Sequence, residues 1–241
     1  MKILAIDSSG LVAGAAVMED ERMTAEFTVN YKKTHSQTLM PMVDTVLKRL
    51  EMKLDELDAI AVSSGPGSFT GLRIGVASAK GLAMAIDKPV ISVPTLEALA
   101  YNLYGFKGLV VPIMDARRNQ VYTGIYEFNS ENELITLAEG MAVDFAELME
   151  RLNGMGKEVC FLGDGVPVFR EFIKENGRIK VSFAPNHLSH QRAGAVGALA
   201  LRYYKEGKYC SAAEMRPVYL RKSQAERERE KSLDGSADKE A

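Results

Sequence analysis

One arrangement constrains this chain more than any other: a succession of apolar segments runs through once and then starts again. Ile3 to Ile6 is a short apolar run closed by Asp7, Ser8, Ser9 and Gly10, the pattern of a buried strand entering a polar turn. A small-residue strand, Ala13 to Met18, an acidic turn and a third strand, Met23 to Val29, follow. The period then changes. Leu39, Met42, Val43, Val46, Leu47 and Leu50 fall at helical spacing, with Thr34 or Ser36 placed to cap the helix and Pro41 in its first turns. A strand over 60–62, a helix over 71–86 stopped by Pro89, a strand over 90–93 and a helix from Pro94 through Leu103 complete the first pass. Leu109 to Met114, ended by Asp115, opens the second. It predicts strands over 121–128 and 134–138, a helix near 145–152, a strand over 159–162, a helix near 167–175, a strand around 180–183 and a last helix over about 191–204.

Strand-strand-strand-helix-strand-helix thus occurs twice, and Asp7 and Asp115 hold matching places. Duplication of an α/β lobe is the simplest account. Each sheet should be mixed, because hairpins come first and crossovers later. The expected division is one lobe over residues 1–106, a second over 107–221 and a charged tail over 222–241. That tail has almost no apolar anchor and is expected to be mobile when free.

Composition narrows the classes. With 46% hydrophobic residues in 241, the chain can bury a sizeable core. Its formal charge is −2, without a block of basic residues, whereas a protein that grips RNA unaided usually shows a basic face. RNA contact is therefore expected to be weak or to run through a partner. Cys160 and Cys210 are too far apart in sequence for a disulfide framework or a paired metal motif. Asp7 comes too early for a signal peptide, and no apolar run reads as membrane-spanning in length. A cytoplasmic protein without membrane contact is expected.

The stretch from Ser64 to Gly75 looks like a phosphate loop. It lacks the third glycine of the dinucleotide fingerprint, since position 70 is Thr, and no Gly-Lys-Ser/Thr follows. A tight strand-to-helix turn is the reading physics favours. Pro66, two residues before Ser68, excludes a nucleophile elbow. His187 and His190 are one helical turn apart, but no Cys or acidic residue flanks them, and Asn186 and Ser189 suggest a helix start instead. No metal site is expected. Asp7 and Asp115 each end a strand at the mouth of a lobe, where two-lobed ATPases hold a magnesium-bound nucleotide. Asp7-Ser8-Ser9 keeps that character. Asp115 is followed by Ala116, Arg117 and Arg118, which are bulky and cationic, and Asp164 interrupts the glycine pair Gly163 and Gly165. These loops are read as vestigial nucleotide loops. Gly71, Gly75 and Ala79, beside Leu72, share one helix face, so something must approach that face closely: the underlying sheet or a second helix.

Several of these segments resemble the TsaB family. They are Asp7-Ser8-Ser9, Ser64 to Gly75, Ala79-Lys80-Gly81-Leu82-Ala83, Val93 to Leu99, Asp115-Ala116-Arg117 and Pro217-Val218-Tyr219-Leu220-Arg221. The similarity covers almost the whole chain. It implies a two-lobed actin-like, duplicated ribonuclease H-like fold with a mixed sheet flanked by helices in each lobe. It also implies a role in making threonylcarbamoyladenosine in tRNA. The catalytic relative TsaD carries two metal-binding histidines, and the resemblance places Thr95 and Leu99 where they belong, with Glu97 between them. The implied protein has no catalytic residues. It binds TsaD, works with the ATPase TsaE, meets tRNA through the complex, and forms a homodimer when TsaD is absent. A nucleotide is expected only at a subunit boundary. The expected partner surface is Leu39, Met42, Val43 and Val46 with Gly71, Leu72, Gly75 and Ala79. The competing classes are an ATP-dependent phosphotransferase of the sugar-kinase type and, disfavoured by Thr95 and Leu99, a metallopeptidase.

Overall fold

The structure, a computed structural model, describes residues 1–31 and 34–221. The expected charged tail, 222–241, lies outside the described residues.

Ten strands form two five-stranded sheets. In the first, β1 (Lys2–Asp7), β2 (Ala13–Glu19), β3 (Arg22–Val29), β4 (Ala59–Gly65) and β5 (Val90–Pro94) lie in the order β3-β2-β1-β4-β5. The second contains β6 (Leu109–Asp115), β7 (Gln120–Phe128), β8 (Leu134–Asp144), β9 (Val159–Leu162) and β10 (Val181–Phe183), in the order β10-β9-β6-β7-β8. Read from its other edge, the second order repeats the first. In both, the hairpin strands pair antiparallel and the crossover strands pair parallel. The fold is therefore a duplicated, two-lobed α/β fold with a mixed sheet in each lobe.

The central strands β1 and β4 are buried almost throughout, as apolar runs with helices on both faces must be. Helices α1 (His35–Arg49) and α2 (Phe69–Ile86) cover one face of the first sheet. Helices α4 (Phe145–Met155) and α5 (Val166–Asn176) cover the equivalent face of the second. α2 is long and apolar enough to cross a membrane by length and composition, contrary to the sequence expectation. Its Gly71, Leu72, Gly75, Val76, Ala79 and Ala83 are buried within this lobe, as in a core helix.

The remaining two helices correct the expected lobe boundary. α3 (Thr95–Tyr101) lies between the sheets: Ala98 packs with the first, whereas Leu96, Leu99 and Ala100 pack with Val110, Tyr126 and Leu162 of the second. α6 (Ala193–Lys205) follows the second lobe in sequence but packs on β1 and β2, with Val196, Leu199 and Ala200 against Ile3, Ala5 and Met18. The first sheet has no helix of its own left for that face, because α3 is shared. Residues 193–221 do not belong to the second lobe alone. Beyond α6, Cys210 pairs with Val90 across the free edge of β5, shielding backbone groups that an open edge would expose.

Candidate functional site

A cleft of about 1160 Å³ opens between the lobes, walled by Ser9 and Gly10, Gly67 and Ser68, and Asp115 and Asp164. Its geometry follows from two strand ends and the loops beyond them. Asp7, at the end of β1, is 1% exposed. Its Oδ1 accepts from the Ser9 amide at 2.8 Å and from the Ser9 hydroxyl at 2.7 Å, while its Oδ2 is buried without a partner. Burial pushes the Asp7 carboxyl above its ordinary value, opposed by the bonds from Ser9.

The glycine loop closes on the Asp7 loop. The Ser68 amide donates to the Ser9 carbonyl at 2.7 Å, and the Ser8 hydroxyl donates to the Gly71 carbonyl at 2.9 Å. Ser68 is the N-cap of α2 and accepts from the Gly71 amide at 3.2 Å. Gly71 and Gly75 are glycines because Ser8 fills the space a Cβ would need at each. The close approach predicted for this face is thus made by the protein's own first loop.

That finding relocates the expected partner surface. Leu39, Met42, Val43, Val46 and Ala79 belong to the core beneath α1 and α2, against Leu4, Ile6 and Val62, and Leu72 is 1% exposed. None of these eight side-chain positions faces outward, because each helix needs its full apolar stripe to cover its own sheet. The outward face of α2 carries instead Ala77, Gly81 and Ala85, one turn apart, with Met84 68% exposed. Gly81 has open space where a Cβ would stand, so nothing among the described residues explains it.

On the second lobe, the Asp115 amide donates to Asp164 Oδ1 at 3.2 Å, and Asp115 Oδ1 accepts from the Arg117 amide at 2.8 Å. Burial, together with the nearby Asp115 charge, raises the Asp164 carboxyl. Gly163 and Gly165 lie against the Ile113 carbonyl of β6, to which the Gly165 amide donates at 3.0 Å. They serve strand-to-helix packing, and it is Asp164 between them that faces the cleft. Arg117, Arg118 and Asn119 all adopt left-handed backbone, with φ of 66°, 56° and 58°. Such conformations cost a non-glycine residue about 1–2 kcal/mol each, less for Asn.

The donors that would cradle the phosphates of a nucleoside triphosphate are already engaged: the Ser9 amide and hydroxyl bond Asp7 within their own loop, and the Ser68 amide and Ser8 hydroxyl bond across to the facing loop. Asp115 and Asp164 on the facing wall would repel such a ligand.

Behind the glycine loop, Thr95 is fully buried. Its hydroxyl shares a 2.8 Å hydrogen bond with Ser63 and accepts from the Gly65 amide at 3.1 Å. Leu99 is 1% exposed in the core between the sheets. Glu97 accepts from the Tyr203 hydroxyl of α6, and burial raises its carboxyl. Among the described residues no three His, Cys, Asp or Glu side chains gather as metal ligands would. His187 is exposed, and neither it nor His190 caps α6, whose N-cap is Arg192.

Sequence reading missed the segment that ties the site together. After Met215 the chain crosses from the first lobe to the second as a strap. Val218 donates to the Ser64 carbonyl at 2.7 Å, Tyr219 stacks on Phe69, and Arg221 donates to the Ala116 carbonyl at 2.9 Å. Gly65 has φ of +129°, and the Val218 carbonyl fills the place of its missing Cβ. The Pro217 to Arg221 motif was the available signal.

Topology and cleft together define a two-lobed, duplicated α/β protein whose phosphate-type loops are bonded to one another. Residues 23–229 match the family model of TsaD, tRNA N6-adenosine threonylcarbamoyltransferase. The TsaB protein of Bacillus subtilis (strain 168) is 36% identical over 94% of this chain and 96% of its own length; that of Escherichia coli (strain K12) is 32% identical over 93% and 96%. A crystal structure from Pseudomonas aeruginosa, of a protein described as similar to peptidase YeaZ, superposes with a TM-score of 0.75 at 28% identity. The match covers 91% of this chain and 99% of that one. The chain belongs to the TsaB family of tRNA threonylcarbamoyladenosine biosynthesis proteins.

Proposed function

We propose that this chain is a non-catalytic subunit that binds a TsaD-type transferase. In that role it supports TsaE-dependent transfer of a threonylcarbamoyl group to the adenosine beside the anticodon of tRNAs reading ANN codons. The observation that carries the reading is the fate of Thr95 and Leu99. Both are committed to the core. A threonine held in a buried hydrogen-bond network and a leucine cannot replace a pair of imidazole ligands. The self-bonded loops at Ser9 and Ser68 argue in the same direction against the sugar-kinase alternative.

The docking surface in this reading is the outer face of α2 with the neighbouring α1. Ala77, Gly81 and Ala85 let a partner helix approach closely, and Met40 and Met84 supply adaptable apolar contact. A second copy of the chain takes the same face when the transferase is absent. Any nucleotide in the assembly sits at a subunit boundary.

The test is deletion in the native host, with mass spectrometry of digested tRNA. Threonylcarbamoyladenosine should fall and be restored by the wild-type gene but not by Gly81→Leu. Unchanged modification in the deletion strain would sink the reading, as would steady-state ATP turnover by the pure chain.

A further inference from the structure

Four arginines and two aromatic rings lie along the strap and on the two segments it joins, the start of α2 and the turn after β6. The Arg73 guanidinium lies 4.0 Å from the Phe69 ring centroid, and its Nε donates to the Tyr219 hydroxyl at 3.1 Å. Tyr219 stacks on Phe69 with centroids 4.6 Å apart and is still 38% exposed. Two residues on, Arg221 donates to the carbonyl of Ala116, and the next two residues of that turn are Arg117 and Arg118. The Arg117 side chain is 87% exposed, and Arg118 is also exposed. The nearest acid is Asp115, 3.3 Å from Arg117; it offsets one of the four charges. Asp164 also faces the cleft, and its Oδ1 accepts from the Asp115 amide.

Two features of this set of residues suit an external ligand. Arg117 and Arg118 sit in consecutive left-handed conformations, where glycine or asparagine would be less strained. Their side chains, pointing into solvent, return nothing to the core. A guanidinium over one ring and a second ring stacked beside it also form a surface on which a flat base can stack. Cationic groups flanking an exposed aromatic suit a polyanion that carries unpaired bases, whereas an acidic protein surface would use the charges but not the rings.

We infer that Arg73, Tyr219, Arg221, Arg117 and Arg118 form an RNA-contacting ridge that takes a single-stranded or loop segment, with Tyr219 stacking on a base and the arginines on phosphates. Direct contact of this kind goes beyond the expectation that tRNA is met through the complex. The choice of RNA rests on the function proposed above. The net charge of −2 hides the ridge because the four arginines are outweighed by the 32 acidic residues spread through the chain. Contact should be weak and strongly salt-dependent.

The experiment is fluorescence anisotropy of a labelled, unmodified tRNA transcript titrated with the full chain at low salt. Wild type should bind. The double variant Arg117→Gln/Arg118→Gln should weaken binding at least about ten-fold, with a shallower salt slope and unchanged melting temperature. Tyr219→Ala should weaken it similarly, and Tyr219→Phe, which keeps the ring, should bind as wild type. An unlabelled anticodon stem-loop should compete better than duplex DNA of equal length. No binding by wild type, no loss in the double variant or in Tyr219→Ala, or equal competition by duplex DNA overturns the inference. Failure of the proposed function is distinguishable, since modification persisting in the deletion strain would leave these titrations untouched.

Discussion

Ser8 is the reason residue 75 is glycine: its hydroxyl fills the space a Cβ there would need, while donating to the Gly71 carbonyl. Gly75→Leu should therefore overpack the junction between the first loop and α2, destabilising the fold by about 1–3 kcal/mol or more. Gly81, on the same helix, meets nothing among the described residues. Gly81→Leu should leave the melting temperature near wild type, because leucine favours helix over glycine by close to 1 kcal/mol. It should instead weaken self-association. Thermal melts with analytical ultracentrifugation separate the two; a stable Gly75→Leu dimer would contradict this assignment.

The contrast also shows how much the sequence discloses. The duplicated pattern and the two aspartates at strand ends are legible because period and position survive in one dimension. The stripe Gly71, Gly75 and Ala79 correctly announces close approach, but a stripe does not say what approaches. Here it is a loop sixty-odd residues earlier in the chain. Likewise α6 looks like the last helix of the second lobe, and its return to the first follows from α3 being shared between sheets, which no local pattern records. The cleft's two main loops are visible, whereas their bonding to each other is not.

Asp7 predicts a pH signature. Its folded carboxyl binds a proton more readily than the unfolded chain does, because burial disfavours the charge. Stability from this group is full below the ordinary carboxylate range and is lost as pH rises through the elevated folded value. Asp7→Asn keeps an oxygen for Ser9 and removes the ionisation. It should melt higher than wild type at neutral pH, with the gap closing as pH falls toward about 4. A gap that widens in acid would mean the ionised form is the one the fold favours.

Thr95 tests the buried hydrogen-bond network behind the glycine loop. Thr95→Val preserves shape but leaves the Gly65 amide and the Ser63 hydroxyl without this partner. The expected loss is about 1–3 kcal/mol by urea denaturation, the cost of buried unsatisfied polar groups. Dialysis against a chelator should leave the melting curve of the wild-type chain unchanged. A chelator-induced drop would mean a metal contributes to the fold.

Nucleotide binding by the isolated chain should be weak. To receive a phosphate, Ser9 must give up its bonds to Asp7, and the Ser68 amide its bond to the Ser9 carbonyl across the two loops. The ligand would also face Asp115 and Asp164. Titration calorimetry with magnesium ATP is expected to give no low-micromolar event. A dissociation constant near 1 μM, about −8 kcal/mol, would overturn this.

The strap should matter more for stability than its length suggests. Val218 holds the glycine loop, Tyr219 holds the start of α2, and Arg221 reaches the far lobe. Ending the chain after Arg216 removes all three at once. Each is worth about 0.5–1.5 kcal/mol, so the combined loss should be about 2 kcal/mol or more. For a chain of this size that corresponds to a melting point lower by about 4–8 °C. Ending it after residue 223 removes a segment without apolar anchors and should leave the melting point nearly unchanged. Arg221→Ala gives the intermediate case, losing one bond across the cleft while the stack on Phe69 survives. Calorimetric melts of the three forms should rank them in that order. Equal melting of the Arg216 truncation and the full chain would show that the lobes hold each other without the strap, through α3 and α6 alone.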